Sequence, residues 1–519
     1  MSVQTPYVRQ PDAAAGCDDA HGFTLPKQSF WMIVALLAIL AAIKPILIDT
    51  LDPDLFWHLL VAKQLLRDGI GPLVDRISYC SMRAPWTPYS WLAELGMNAA
   101  WDWGGYRAAL AAHAVLLAGV MFAVGAAAAE CVPRSGSRAY SAAAVATAAA
   151  MMLIVPWFTF RPAALAIVLL AIIVWLIQRD RRLDERSRAI WLTPPITALL
   201  ANIHLFSLAA PLFAGALFLG ALVERFRAIG DSAPDATRRT RRYALLTLLA
   251  MIACCATPML RGFVRAAAYY QFSDPMISSG IIAEMQPFYQ GAFGKIILAA
   301  LAVIGLILLA NRRQVRAGEW FMPAIGTALL VQHGRYAPLF ALTLAPALTL
   351  AISDLSDHLF LRRMTRPLLA GLMLASLIAF ALLFPGAKVP MDQWVNRRGP
   401  GHSGFPCAAA QYVSDQVHPA TGRLINEFTW GGYLAWRLHD RYQVLLDGRT
   451  QVYPPEFWRS VYLGDDAQRR QLLAGVHADA AILPLGSSLF QTSLERQNWR
   501  IVFADDCSIV MVPPNDPPR

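Results

Sequence analysis

Apolar runs of roughly span length, broken by short stretches of Arg, Asp, Pro and Gly, fill the chain from Phe30 to Phe384. A bilayer core about 30 Å thick is crossed by roughly 20 apolar residues in a helix, because a helix pairs every backbone polar group without help from water. The pattern predicts spans at 30–48, 106–128, 141–157, 163–178, 243–258, 295–310, 318–331, 337–352 and 367–385. The apolar stretch 191–223 is too long for one ordinary span and carries Asn202-Ile203-His204 in its middle. Read as two short or tilted helices, it brings the expectation to about 11 transmembrane helices.

Composition agrees: 56% of residues are hydrophobic and 15% charged, too little polar surface for a soluble core of this length. The net charge of +10 sits mainly in short loops, at 179–188, 225–242, 312–316 and 362–366. With 11 spans and a cytoplasmic N-terminus all four runs fall on the cytoplasmic side, as the positive-inside bias requires. A single helix over 191–223 would put the runs flanking it on opposite faces, which supports the split. Basic residues scattered in this way report topology, and nucleic acid is excluded as a partner. The predicted class is therefore a polytopic α-helical membrane protein with a C-terminal soluble α/β domain. Residues 1–29 form a cytoplasmic tail, 30–385 the transmembrane domain with large outer loops at 49–105 and 259–294, and 386–519 the outer domain. The implied location is a bacterial inner membrane, with the C-terminal domain in the periplasm.

Within 386–519 the alternation predicts strands over 423–428 and 443–446, a short helix over 431–438, a strand over 478–485 and a final hairpin over 500–512. Cys407 and Cys507 both fall in this domain, where an oxidising compartment would permit a disulfide between them.

Candidate chemistry gathers in the first outer loop. Asp52-Pro53-Asp54-Leu55-Phe56-Trp57-His58 stands where the first apolar run ends, followed by Gly71-Pro-Leu-Val-Asp75-Arg-Ile-Ser78 and by Ser90-Trp91-Leu-Ala-Glu94. An interfacial aromatic belt accounts for the tryptophans but poorly for the acid pair and His58. Held at a membrane edge and partly desolvated, Asp52 or Asp54 could accept a proton near neutral pH. The proline between the two acids argues against helical geometry there.

The pattern Asp-x-Asp-x-x-x-His after the first span, with Pro-x-x-Asp-x-x-Ser and Trp-Leu-x-Glu, resembles the GT-C superfamily of integral-membrane glycosyltransferases, which use polyprenyl-phosphate sugars. Ile281-Ile282-Ala283-Glu284 is similar to the Thr-Ile-x-Glu type motif of oligosaccharyltransferase catalytic subunits. Thr429-Trp430-Gly431-Gly432-Tyr433 is similar to their Trp-Trp-Asp-Tyr-Gly motif, with Leu446-Asp447-Gly448-Arg449-Thr450 at a comparable distance. Gly431-Gly432 stand where those enzymes have Trp-Asp, so recognition of an Asn-x-Ser/Thr acceptor does not carry over.

The resemblance implies transfer of a sugar from a lipid-phosphate donor to a glycan, lipid or protein acceptor, with Asp52 or Asp54 as base. Arg161 and Arg335, in short outer hairpins, are candidate phosphate ligands, or else arginines snorkelling to headgroups. His58, Glu284, Trp430, Tyr433, Asp447 and Arg449 are candidate substrate contacts; Asp447 and Arg449 could instead simply pair with one another. Asn202 and His204 are candidates too, or hydrogen-bonded glue between helices. Asp52, Asp54 and Glu284 offer hard oxygen ligands suited to Mg or Mn. A lipid-linked-sugar flippase and a noncatalytic subunit of an envelope polysaccharide assembly system are the alternative classes.

Overall fold

The computed structural model describes residues 25–47, 51–132, 140–228, 233–290, 292–310, 316–353, 365–397, 404–417, 419–439, 441–486 and 488–514. Most of the expected N-terminal tail and basic run 362–366 lie outside the described residues. Helices occupy the apolar runs and also parts of the loops between them: α1 Lys27–Leu47, α2 Pro53–Asp68, α3 Trp91–Glu130, α4 Tyr140–Ile154, α5 Pro162–Arg182, α6 Thr193–Leu200 and α7 Ala209–Arg227. They continue as α8 Ala233–Ala253, α9 Leu260–Phe272, α10 Pro275–Ser278, α11 Ala292–Ala310, α12 Ala317–Gln332, α13 Ala337–Ile352 and α14 Arg366–Leu383.

Among the described residues, seven helical segments are long and apolar enough to cross a membrane by themselves. The expected count near 11 is met only in part, for physical reasons visible in the remaining helices. α8 starts inside the basic run, so its first turns carry Arg238, Arg239, Arg241 and Arg242. α6 has 8 residues and α12 has 16, and the apolar part of α11 is the shorter stretch Gly294–Ala310. The stretch 191–223 is broken where its polar residues predict, between α6 and a 3-10 turn at Leu205–Leu208. α3 begins well before the expected span and kinks at Gly104 and Gly105, which leave helical geometry, Gly105 with φ +59°.

The bundle has two chemically distinct ends. At one, Arg242 pairs with Asp180 at 2.7 Å, Arg181 with Glu319 at 3.0 Å and Arg316 with Glu185 at 2.8 Å, so basic loops distant in sequence converge. The opposite termini of α5 and α12, which carry Arg181 and Glu319, lead to Arg161 and to Arg335 beside the acid motif. α5, for example, starts next to Arg161 and runs from Pro162 to Arg182 over 21 residues, about 30 Å at a helical rise of roughly 1.5 Å per residue.

The C-terminal residues form α15 Met391–Val395, α16 Cys407–Gln416, α17 Gly431–Arg437 and strands β1 Gly422–Asn426, β2 Tyr442–Val444, β3 Ala480–Pro484, β4 Arg500–Ala504 and β5 Ser508–Val512. The sheet order is β2-β1-β3-β5-β4, with β2, β1 and β3 parallel and the β4–β5 hairpin antiparallel against β3. Its strands fall where the alternation puts them. Cys407 and Cys507 are both free thiols, and Cys407 Sγ accepts from the Tyr433 hydroxyl at 3.1 Å.

The segment between α2 and α3 adds a single bridge to the edge of this sheet, Ser78 to Val444. Val444 N donates to Ile77 O at 3.1 Å, Tyr79 N to Val444 O at 3.3 Å and Ser78 Oγ to Leu445 O at 2.9 Å. One apolar core spans both parts, with Leu55, Phe56, Leu59 and Leu60 of α2 buried against Tyr433, Leu434 and Phe405. Burial of a large apolar side chain is worth about 1.5–3 kcal/mol. Several such side chains therefore bind the α/β layer to the helix that bears the acids.

Candidate active site: acids gathered on a guanidinium

Asp-Pro-Asp is a helix start. Asp52 is the N-cap of α2 and accepts from Asp54 N at 2.9 Å, Pro53 takes the first turn where its missing N–H costs nothing, and Asp54 follows beside the positive end of the helix dipole. The proline therefore fixes the helical geometry it was expected to prevent. Arg161 plays the corresponding part on α5, its extended backbone capping a helix whose first residue is Pro162.

Two helix starts thus meet. Arg161 Nε donates to Asp52 Oδ2 at 2.6 Å, while its Nη1 lies 3.2 Å from Glu284 Oε1 and 3.4 Å from Asp54 Oδ2. Arg335, in the turn Gly334–Tyr336 between α12 and α13, stands 3.7 Å from the same Glu284 oxygen. Glu284 is placed by its own turn, whose Met285 O bonds His333 Nδ1 and whose Gln286 O accepts from Gly334 N.

Burial pushes the Asp52 carboxyl up, against the opposing pull of Arg161. Burial would raise Glu284 too, but the guanidinium groups of Arg161 and Arg335 outweigh it and bring the carboxyl down to about 2. Desolvation works against the charge on Arg161, yet the surrounding carboxylates hold it protonated.

These groups line one cavity of about 450 Å³. Asp54, Arg161, Glu284 and Arg335 lie on its wall with His58 and His204, and so do apolar residues such as Leu208, Leu212, Leu329 and Leu339. The Asp54 carboxylate is 26% exposed and the Asp52 carboxylate 3%. Asp54 is thus the acid that meets the cavity, and Asp52 stands behind it holding Arg161.

His58 lies one helical turn after Asp54 and shares a hydrogen bond of 3.0 Å between Nδ1 and Glu94 Oε1. Burial lowers the His58 pKa, outweighing Glu94, so the imidazole is neutral. His204 Nδ1 accepts from Phe206 N at 3.1 Å, which leaves Nε2 of the neutral ring to carry the proton. Asn202 is engaged with protein groups: its Oδ1 accepts from Trp91 Nε1 at 2.9 Å and its Nδ2 donates to Ala256 O at 2.9 Å.

Four candidate residues of the C-terminal domain, Trp430, Tyr433, Asp447 and Arg449, sit outside the cavity lining. Tyr433 is fully buried, and Trp430 Nε1 donates to Gly404 O at 3.1 Å. Arg449 is bound at 2.6 Å to Asp447 and at 2.8 Å to Asp75, all three buried. Burial would raise Asp75, but Arg449 holds it low. Residues the sequence reading left out of the site, Tyr89, Tyr270, Asp274, Tyr336 and Gly448, do line it. Only Gly448 carried a signal, lying between two residues already singled out.

The three candidate metal ligands come together around a guanidinium, which fills the space an ion would need. Among the described residues no three His, Cys, Asp or Glu side chains are arranged to hold one. The arrangement around Arg161 does not fit Mg or Mn.

No protein-family model matches the sequence, and no curated protein is significantly similar to it. Solved structures are. The archaeal oligosaccharyltransferase AglB from Archaeoglobus fulgidus, in complex with an inhibitory peptide and a dolichol-phosphate, superposes with a TM-score of 0.52 at 12% identity, over 88% of this chain and 70% of that one. ArnT from Cupriavidus metallidurans, bound to undecaprenyl phosphate, superposes with a TM-score of 0.51 at 11% identity, over 93% of this chain and 98% of that one. The chain has the GT-C fold. At such identities the likeness concerns architecture. A Cβ at Gly432 would stand 2.8 Å from Pro53 O, and one at Gly431 2.0 Å from Leu446 O. Neither position has room for a side chain: Gly432 is packed against the helix bearing the acids, and Gly431 against Leu446 and Asp447 of its own domain.

Proposed function

We propose that the chain is an inner-membrane glycosyltransferase that moves a sugar from a polyprenyl-phosphate donor to an acceptor on the periplasmic face, with 11 spans and the basic loops in the cytoplasm. The observation that carries this reading is the cavity itself, in which an acid and two guanidinium groups share a wall with leucines. An amphiphile with a phosphate between a sugar and an alkyl chain matches that division. The lipids in the AglB and ArnT structures, a dolichol-phosphate and undecaprenyl phosphate, are of the same chemistry.

In the proposed reaction Asp54 takes the proton of the acceptor hydroxyl or amine as that group attacks the anomeric carbon. The bond from this carbon to the phosphate oxygen breaks, inverting the centre. The lipid phosphate leaves with the electron pair, facing Arg335, whose planar fork suits phosphate oxygens. Asp52 and Glu284 keep Arg161 in place, and His204 offers an N–H donor.

The test is transfer from a synthetic polyprenyl-phosphate sugar by the purified chain in nanodiscs. Asp54→Asn should lower turnover by about 10²-fold or more, the usual worth of a general base, while elution and melting stay native. Arg335→Gln should chiefly weaken donor binding. Native glycan output from Asp54→Asn cells would refute the assignment and favour a noncatalytic subunit; donor translocation without transfer would favour a flippase.

A further inference from the structure

The loop 447–449 of the outer domain presses on the cavity acid. A Cβ at Gly448 would stand 2.2 Å from Asp54 Oδ1, 3.1 Å from its Cγ and 3.1 Å from Trp57 Nε1. The backbone there is in an ordinary region, so glycine is needed for space.

The loop is fixed from behind. Asp447 Oδ1 accepts from Arg449 N and from Arg449 Nε, both at 2.9 Å, and Asp447 N donates to the Tyr453 hydroxyl at 2.9 Å. Arg449 Nη1 continues to Asp75 at 2.8 Å, and Asp75 in turn accepts from Ile77 N and Ser78 N, next to the strand that joins the sheet edge. Arg449 is fully enclosed by these partners and by Trp86, its guanidinium carbon 5.2 Å from the ring centroid. A continuous rigid path therefore runs from the sheet edge through Arg449 and Asp447 to Gly448, and ends against the Asp54 carboxylate.

We infer that Gly448 is a positioning residue, and that the outer domain, through its Arg449 clamp, sets the direction in which Asp54 faces the cavity. The inference rests on the reading of Asp54 as the base, and it makes the soluble domain part of the reaction geometry. The domain acts as a seat for the acid, from behind the lining.

The experiment needs no substrate. The full chain in nanodiscs is treated with a water-soluble carbodiimide and glycine ethyl ester across a pH series, and amide formation at Asp54 is quantified by peptide mass spectrometry. Asp466 of the same domain serves as reference. Gly448→Ala and Arg449→Lys should each change the Asp54 rate several-fold, leaving Asp466 unchanged. Gly475→Ala should change neither, because a Cβ there meets nothing within 4 Å. If Gly448→Ala fails to fold, Arg449→Lys decides alone, since it keeps a cation between Asp75 and Asp447. An unchanged Asp54 rate, or a rise shared equally with Asp466, overturns the inference. Where transfer is measured, Arg449→Lys should lower turnover with little change in half-saturating donor. Loss of the labelling shift refutes the seating alone; full transfer by Asp54→Asn refutes the base while the seating stands.

Discussion

His58 and Glu284 answer to pH in the same sense. The folded pKa of His58 lies below its ordinary 6.5, so its contribution to stability is full above that value and is lost as pH falls through the folded pKa. Glu284, at about 2 against an ordinary 4.5, contributes fully above 4.5 and loses it as pH falls through about 2. Asp52, pushed upward, runs the other way. Between pH 7.5 and 5.5 the native chain should therefore lose melting temperature faster than His58→Gln, which keeps a hydrogen-bond donor for Glu94 and cannot titrate there; equal slopes would show that His58 is unshifted. Asp52→Ala should cost about 0.5–2 kcal/mol by loss of the N-cap, whereas Asp52→Asn keeps it, a difference read from melting in detergent. The acid motif was legible as a site because its residue types are rare at a membrane edge. Its internal division was not: which acid faces the cavity depends on Arg161, 109 residues away.

Helices were the most legible level, since a run of apolar residues leaves the backbone no other way to pair in lipid. The extension of α3 through the outer loop and the start of α8 within a basic run escaped the pattern, because packing and ion pairs stabilise turns that hydropathy does not mark. Close helix contacts are equally silent in a single sequence. Gly220 of α7 meets Gly318 of α12 so closely that a Cβ would stand 2.2 Å from Gly318 N. Gly220→Ala should destabilise by about 1–3 kcal/mol through overpacking, while Gly305→Ala, in open space, should be near neutral. Thermal unfolding in one detergent compares the two directly.

At the scale of the molecule, the helical bundle and the C-terminal domain are joined through α2, the sheet edge at Val444 and the Arg449 pairs. Arg449→Met should cost about 3–5 kcal/mol by leaving buried carboxylates uncompensated, and adding Asp75→Asn should recover part of that loss in the melting temperature. The alternation of strands revealed the layer but not its interlock, for the first loop contributes no more than a single bridge to the sheet. The fit around Gly431, Gly432 and Gly448 has a consequence for reading selection. In a saturation scan of growth these three positions would be as intolerant as Asp54 itself, although none of them offers a functional group. A catalogue of essential positions would therefore record a cluster of apparent catalytic residues with no chemistry, the trace left in fitness data by a surface that works through its emptiness.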